Sequence, residues 1–60
     1  MKVRDVLQVL HEDGWQVVRM RGSHRVLHHA SKPGIVVVPG NPGDDIPPGT
    51  LKAILKQAQL

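Results

Sequence analysis

The spacing of apolar residues changes twice along this chain, from a helical period to that of strands and back again. In the segment Lys2 to Asp13, and again from Pro48 onward, apolar residues recur at positions i, i+3, i+4 and i+7, on one face of a helix. These positions are Val3, Val6, Leu7 and Leu10 in the first segment and Leu51, Ile54, Leu55 and Ala58 in the second. Gly14 follows the first segment, where a left-handed residue commonly ends a helix. The pattern predicts one amphipathic helix near each end of the chain.

The middle of the chain is rich in β-branched residues and is divided by turn-forming stretches. Trp15 to Met20 leads into Arg21-Gly22-Ser23, and His24 to His29 leads into a turn that ends in Pro33-Gly34. Ile35 to Val38 is a run of four strand-forming residues closed by a proline. These segments predict a three-stranded antiparallel sheet and an α+β fold of order α-β-β-β-α. Because each helix has a single apolar face, we expect both to pack on one side of the sheet and leave the other side open.

The predicted core follows from these apolar faces. Its expected members are Val6, Leu7, Leu10, Val17, Ile35, Val37, Leu51, Ile54 and Leu55. Strand residues alternate between the two faces of a sheet, so Val18, Val36 and Val38 form the alternative inward set. Trp15, directly after the helix-ending glycine, is expected to close the edge of the core. The stretch from Pro39 to Gly49 is expected to be an ordered connection without a strand of its own.

Length and composition limit the functions that such a fold can have. The chain has 60 residues, no cysteine and one aromatic residue, Trp15. We expect one domain over residues 1–60 with a thin core, no disulfide or thiolate zinc site, and no aromatic platform for stacking bases. Eight Lys and Arg against five Asp and Glu give a formal net charge of +3, which suits a polyanionic partner and serves solubility equally well. No apolar run approaches the ~20 residues of a membrane span, so we expect a cytoplasmic protein without membrane contact.

The turn between the first two strands concentrates groups that bind or attack phosphate. Arg19, Arg21, His24 and Arg25 lie within seven residues of one another. Gly22 permits close approach of the backbone, and arginine binds a phosphate through two parallel hydrogen bonds. A basic hairpin tip also serves solubility alone, so the local pattern leaves both interpretations open.

The other histidines and the paired acidic residues favour structural roles. His28 and His29 point to opposite faces of a strand, and we interpret them as exposed polar residues at its end. His24 and His28 share a face but lie about 13 Å apart, too far to share one ion with bonds of ~2.0 Å. We therefore expect no metal site and no cofactor. Asp44 and Asp45 are expected to complement the dipole of the second helix, with an acid–base or magnesium site as the alternative.

Several stretches of the chain together resemble the HicA family of mRNA interferase toxins. They are Arg21-Gly22-Ser23-His24, His29 to Gly34, Val37-Val38-Pro39 and Pro48 to Ala58. The histidine turn and the last stretch are specific when they occur together, and the opening helix with Asp13-Gly14-Trp15 also fits, so the resemblance covers nearly the entire chain. It implies a fold like that of double-stranded-RNA-binding domains, ribosome-independent cleavage of mRNA, and neutralisation by a HicB antitoxin.

The resemblance also assigns roles to the turn. The essential histidine of the family corresponds to His24, and Gly22 and Ser23 shape the turn that holds it. In metal-independent RNA cleavage, a general base takes the proton of a 2′-OH, which attacks the adjacent phosphate, and cations stabilise the developing charge. His24 is the expected base, and Arg21 and Arg25 are the expected phosphate-binding residues. His28, water and substrate contacts all remain open as the source of the proton for the leaving oxygen.

The function expected from the resemblance is the toxin of a type II toxin–antitoxin system. Such a protein cleaves mRNA as an endoribonuclease and is silenced by an acidic HicB-like antitoxin that covers the turn from Arg21 to Arg25. The alternative is a module that binds structured RNA by its shape without cleaving it. Many relatives carry basic groups after the third strand, where this chain has the neutral and then acidic stretch Gly40 to Asp45. This departure is expected either to weaken RNA binding or to change the preferred substrate.

Overall fold

The helices and strands follow the predicted order in the computed structural model, which describes all residues from Met1 to Leu60. Helix α1 spans Val3–Asp13, strand β1 spans Trp15–Arg21, β2 spans His24–His29, β3 spans Val36–Val38 and helix α2 spans Pro48–Gln57. The strands form one antiparallel sheet with β2 in its centre. The predicted α+β fold is confirmed. Neither helix has the length and apolar character needed to cross a membrane.

Both helices pack against the same face of the sheet. Their buried side chains join those of the strands in one cluster, formed by Val3, Val6, Leu10, Trp15, Leu27, Val36, Val38, Ile46, Ile54 and Ala58. Leu27 is the register partner of Val36, and Val38 lies two residues further along β3, so these side chains share one face. This side of the sheet is the covered face, and the side without helices is the open face.

The predicted core is correct for the helices and wrong for part of the sheet. The helix residues Val6, Leu7, Leu10, Leu51, Ile54 and Leu55 are buried or half-buried. In the third strand the alternative set is inward, since Val36 and Val38 are fully buried while Ile35 is 48% exposed. Val37 faces the open side, and Val17 is 46% exposed. A run of β-branched residues has no polar member to mark its outer face, so its pattern cannot select the inward set.

The joint between α1 and the sheet depends on Gly14 and His29. Gly14 has a φ of 109°, and a Cβ at this position would lie 2.7 Å from Nε2 of His29. That Nε2 lies 2.6 Å from the carbonyl oxygen of Asp13, while Nδ1 accepts two backbone N–H groups from the following turn. This pattern fits a ring that donates from Nε2 and accepts at Nδ1. The ring also meets Trp15 edge-on, with 5.2 Å between the centroids. The prediction that His29 is an exposed strand-end residue is therefore wrong.

The connection between β3 and α2 is ordered because it packs against the start of α1. The backbone carbonyls of Pro42 and Asp44 accept the N–H groups of the second and first residues of α1, at 3.1 and 2.9 Å. The Asp44 carboxylate accepts the N–H of Asn41, and Asp45 pairs with Lys2. The two aspartates therefore stabilise this connection and the start of α1, and not the start of α2 as predicted.

Candidate functional site

A β-bulge in β1 determines which side chains reach the open face. Val17 is the register partner of Leu27, whereas Arg19 is opposite the residue that precedes Leu27. Val18 is therefore an extra residue with no partner on β2. In a regular strand, Val17 and Arg19 would lie on the same face because they are two residues apart. The bulge instead leaves Val17 on the covered side and turns Arg19 and Arg21 to the open face.

A two-residue turn brings Arg21 and His24 side by side on the open face. They end β1 and begin β2 and are register partners, so their Cβ atoms lie about 4.5–5.5 Å apart. Gly22 occupies the first central position of the turn with a φ of 61°. The favoured two-residue hairpin turns require a positive φ at this position, and glycine adopts a positive φ without strain. Ser23 completes the turn, and both turn residues are exposed.

The open face contains a groove of about 340 Å³ that includes His24. The groove is lined by Arg19, Arg21, His24, Val26, Ile35 and Val37. Val26 is the register partner of both Arg19 and Val37, so these three residues form one row across the sheet. His24 is exposed at the start of β2, which confirms the predicted placement of its ring. Two arginines and one histidine thus border an aliphatic floor.

The charges around this groove are positive and have no partners within the chain. None of the groove residues is acidic, and Arg19, Arg21 and His24 form no salt bridge. Four of the five acidic residues are engaged elsewhere. These are Asp5 at the backbone N–H of Lys2, Asp13 at Lys32, Asp44 at the N–H of Asn41 and Asp45 at the Lys2 ammonium. Unpaired positive charge of this kind attracts a ligand that carries phosphate.

The structure separates the two arginines that were expected to bind phosphate together. Arg25 is the register partner of Val38 and therefore lies on the covered face. Its guanidinium group is half-buried and donates a hydrogen bond to the carbonyl oxygen of Gly40 at 2.9 Å. Arg21 stands beside His24 on the open face, so the two arginines do not converge on one ligand atom.

The aliphatic floor of the groove was not predicted from the sequence. Ile35 and Val37 were expected in the core, and Arg19 was noted only as a member of a basic cluster. The available signal was the unbroken apolar run in the third strand, because any strand register turns part of such a run outward. His28 is also exposed on β2 but does not line the groove. No second histidine therefore stands beside His24.

A second polar cluster joins the ends of the two helices, away from the groove. The Lys32 ammonium donates to Oδ2 of Asp13 at 2.6 Å and to the carbonyl oxygens of Ala58 and Gln59 at 3.1 and 3.3 Å. The hydrogen bond from Lys32 lowers the pKa of Asp13 and outweighs the opposing effect of desolvation. The cluster ties the last residue of α1 to the residues that directly follow α2, which is a structural role.

A second groove, of about 300 Å³, lies on the helix side of the sheet between α1 and β1. It is lined by Arg4, Leu7, Gln8, His11, Trp15, Val17 and Leu27. Its two basic side chains, Arg4 and His11, both belong to α1, and no turn or strand register holds them side by side. The open-face groove is therefore the better candidate for a catalytic site.

The chain is similar to a known protein family over nearly its whole length. A family model described as the HicA toxin of bacterial toxin–antitoxin systems matches residues 3–60. No curated protein sequence matches the chain. The matched residues include both helices, all three strands and every residue that lines the open-face groove.

Proposed function

Because the chain belongs to the HicA toxin family of bacterial toxin–antitoxin systems, we propose that it acts as an RNA-cleaving toxin through His24. One observation supports this proposal most strongly: His24 and Arg21 are register partners on the open face, in a groove with no acidic residue. An imidazole can take up and release a proton, and the neighbouring guanidinium can bind the phosphate. The expected substrate is mRNA.

In the proposed reaction, His24 takes the proton of a ribose 2′-OH. The 2′ oxygen forms a bond to the adjacent phosphorus as the bond from phosphorus to the 5′ oxygen breaks, which leaves a cyclic phosphate and a free 5′-hydroxyl. Arg21 donates hydrogen bonds to the phosphate oxygens as their charge increases, and the exposed turn residues Gly22 and Ser23 provide a backbone N–H and a hydroxyl nearby. Water or the substrate supplies the proton for the leaving oxygen, since the groove holds no second histidine.

Purified protein incubated with RNA in the presence of EDTA tests this proposal. We expect His24→Ala to slow cleavage by about 10²–10⁴-fold, the usual contribution of a general base. Its free energy of unfolding should change by no more than about 0.5 kcal/mol, because the residue is exposed. His28→Ala is the matched control, an exposed histidine of the same strand outside the groove, and should cleave like the parent protein.

Full cleavage by His24→Ala would exclude the catalytic role of this histidine. Binding of RNA without cleavage by the parent protein would instead favour a non-catalytic RNA-binding module. Loss of cleavage in EDTA alone, with recovery on adding a divalent ion, would show that the reaction needs a metal.

We also propose that the antitoxin of the pair, a HicB-like protein, silences the toxin by covering the open face. The unpaired Arg19 and Arg21 would attract an acidic surface, and association should slow as salt rises. After co-expression, amide-exchange mapping should show protection of the turn between β1 and β2. Protection confined to the outer surfaces of α1 and α2 would contradict blockage of the site.

A further inference from the structure

We propose that the aliphatic floor of the open-face groove binds one unpaired nucleobase next to the phosphate on which His24 acts. The protein would then prefer single-stranded RNA to a duplex. This inference rests on the proposed function, since it concerns the substrate of the same groove.

The floor consists of three aliphatic side chains on the side of the sheet that no helix covers. Val26 is 5% exposed, Val37 is half-buried, and Ile35 is 48% exposed at the edge. A groove that bound phosphate alone would gain nothing from such a floor, because anions are bound by charge and hydrogen bonds. The floor therefore indicates a ligand with an apolar surface as well as a negative charge.

The rows of the sheet place the charged and the aliphatic parts of the groove at a defined distance from each other. Arg21 and His24 form one row, and Arg19 and Val26 form the next row on the same face. Rows on one face are two residues apart, or about 6.6 Å. A ligand that spans them has its charge at the first row and its apolar surface at the second. A nucleotide has this form, since its ribose joins a phosphate to a flat base.

Arg19 borders the second row and provides the other side of the base site. Its side chain is exposed and free of intramolecular ion pairs. A guanidinium plane stacks well on a nucleobase. The base would lie between this plane and the aliphatic floor, which replaces the aromatic platform that the chain lacks. The only aromatic residue, Trp15, is fully buried in the core.

Single-stranded and paired RNA differ in whether the flat face of a base is accessible. In an A-form duplex the bases are stacked and paired, and the accessible minor groove presents 2′-hydroxyls and base edges. Only an unstacked base can lay its face on an aliphatic floor. The groove therefore fits single-stranded RNA, in contrast to the shape recognition of paired RNA that a fold of this type suggests.

Binding measurements in a His24→Ala background, where RNA stays intact, test the inference. The probe is a short RNA of mixed sequence, used single-stranded and annealed to its complement at the same salt concentration. We expect the single strand to bind at least about tenfold more tightly, equivalent to about 1.4 kcal/mol. Ile35→Ser should weaken single-strand binding by about three- to tenfold and leave duplex binding unchanged.

Two matched controls lie on α1, away from the open face. Val9→Ser removes an aliphatic side chain that is 39% exposed, and Arg4→Gln removes an exposed arginine as Arg19→Gln does. Neither control should change the preference for single strands, whereas Arg19→Gln should reduce it. If Ile35→Ser lowers the free energy of unfolding, Ile35→Ala is the milder variant for the same comparison.

Equal or tighter binding of the duplex would overturn the inference, as would an effect of Ile35→Ser no larger than that of Val9→Ser. Failure of the proposed function has a different signature. In that case the parent protein with His24 intact cleaves neither RNA, whichever form it binds.

Discussion

The two faces of the sheet are made of similar residues and differ in what covers them. On the covered face, Val36 and Val38 are sealed by the helices, and the nearby Arg25 is hydrogen-bonded to Gly40. On the open face, Val37 lies in a groove beside arginines that have no partner within the chain. An aliphatic strand surface is therefore buried in the core or left exposed in a groove, depending on the elements that pack against it. The open face differs from the covered face in having unpaired positive charges at the border of its aliphatic surface.

The largest effect is expected on the covered face, at Trp15. Trp15→Ala should lower the free energy of unfolding by about 3–5 kcal/mol, because it leaves a large cavity in the core. A domain of this size has a total stability of the same order, at about 0.05–0.15 kcal/mol per residue. Denaturant unfolding followed by circular dichroism measures the change. A fully stable variant would show that Trp15 does not support the covered face.

Gly14 and Gly22 both have positive φ, but only Gly14 is also crowded. Gly22→Ala should cost about 1–2 kcal/mol for the left-handed conformation alone, since nothing lies within 4 Å of the added Cβ. Gly14→Ala should cost about 2–3 kcal/mol, because it also displaces the His29 ring from its hydrogen bond. Thermal and denaturant unfolding of the two variants compare these costs. Equal losses of unfolding free energy in the two variants would mean that the contact between Gly14 and His29 does not stabilise the packing of α1 on the sheet.

Arg21 and Arg25 belong to one hairpin and test the separation of the faces directly. Arg25→Met should cost about 1 kcal/mol of unfolding free energy through the lost hydrogen bond to Gly40, and leave RNA affinity unchanged. Arg21→Met should leave stability unchanged. It should make RNA affinity less dependent on salt, lowering the magnitude of the slope of log affinity against log salt concentration by about one. Salt titrations of RNA binding measure the second effect. An equal loss of affinity in Arg25→Met would restore Arg25 as a substrate-binding residue.

The smallest effect concerns the pH dependence of stability at Asp13. The pKa of this carboxyl is lowered in the folded protein, mainly by the hydrogen bond from Lys32. Its stabilisation is therefore fully present above the ordinary aspartate range, near pH 3.9, and is lost as pH falls through the folded pKa. The difference in free energy of unfolding between the parent protein and Lys32→Met should therefore become smaller as the pH falls below the ordinary aspartate pKa. Lys52→Met, at an exposed lysine, is the control, and its difference in stability from the parent protein should not depend on pH. If the difference for Lys32→Met also stays constant with pH, the ion pair with Asp13 does not contribute to the pH dependence of stability.

The sequence by itself determined the order of elements and the position of the histidine turn. Periodicity identified both helices, and β-branched runs between glycines and prolines identified the strands. These signals are local, because the period of a helix or strand appears within one segment. The position of His24 at the start of β2 followed from the turn residues Gly22 and Ser23, which are adjacent in the chain.

Only the tertiary structure decided which side chains share a face. Val36 and Val37 have identical chemistry, and burial of one rather than the other follows from where the helices pack. The bulge at Val18 has no glycine to mark it, yet it turns Arg19 to the open face. Alternation along β2 already puts Arg25 on the opposite face from its neighbour His24, whereas its hydrogen-bond partner, the carbonyl oxygen of Gly40, comes from a distant part of the chain. The face on which a side chain lies and the partner that it binds depend on contacts between segments that are distant in the chain. The local sequence pattern does not predict these contacts.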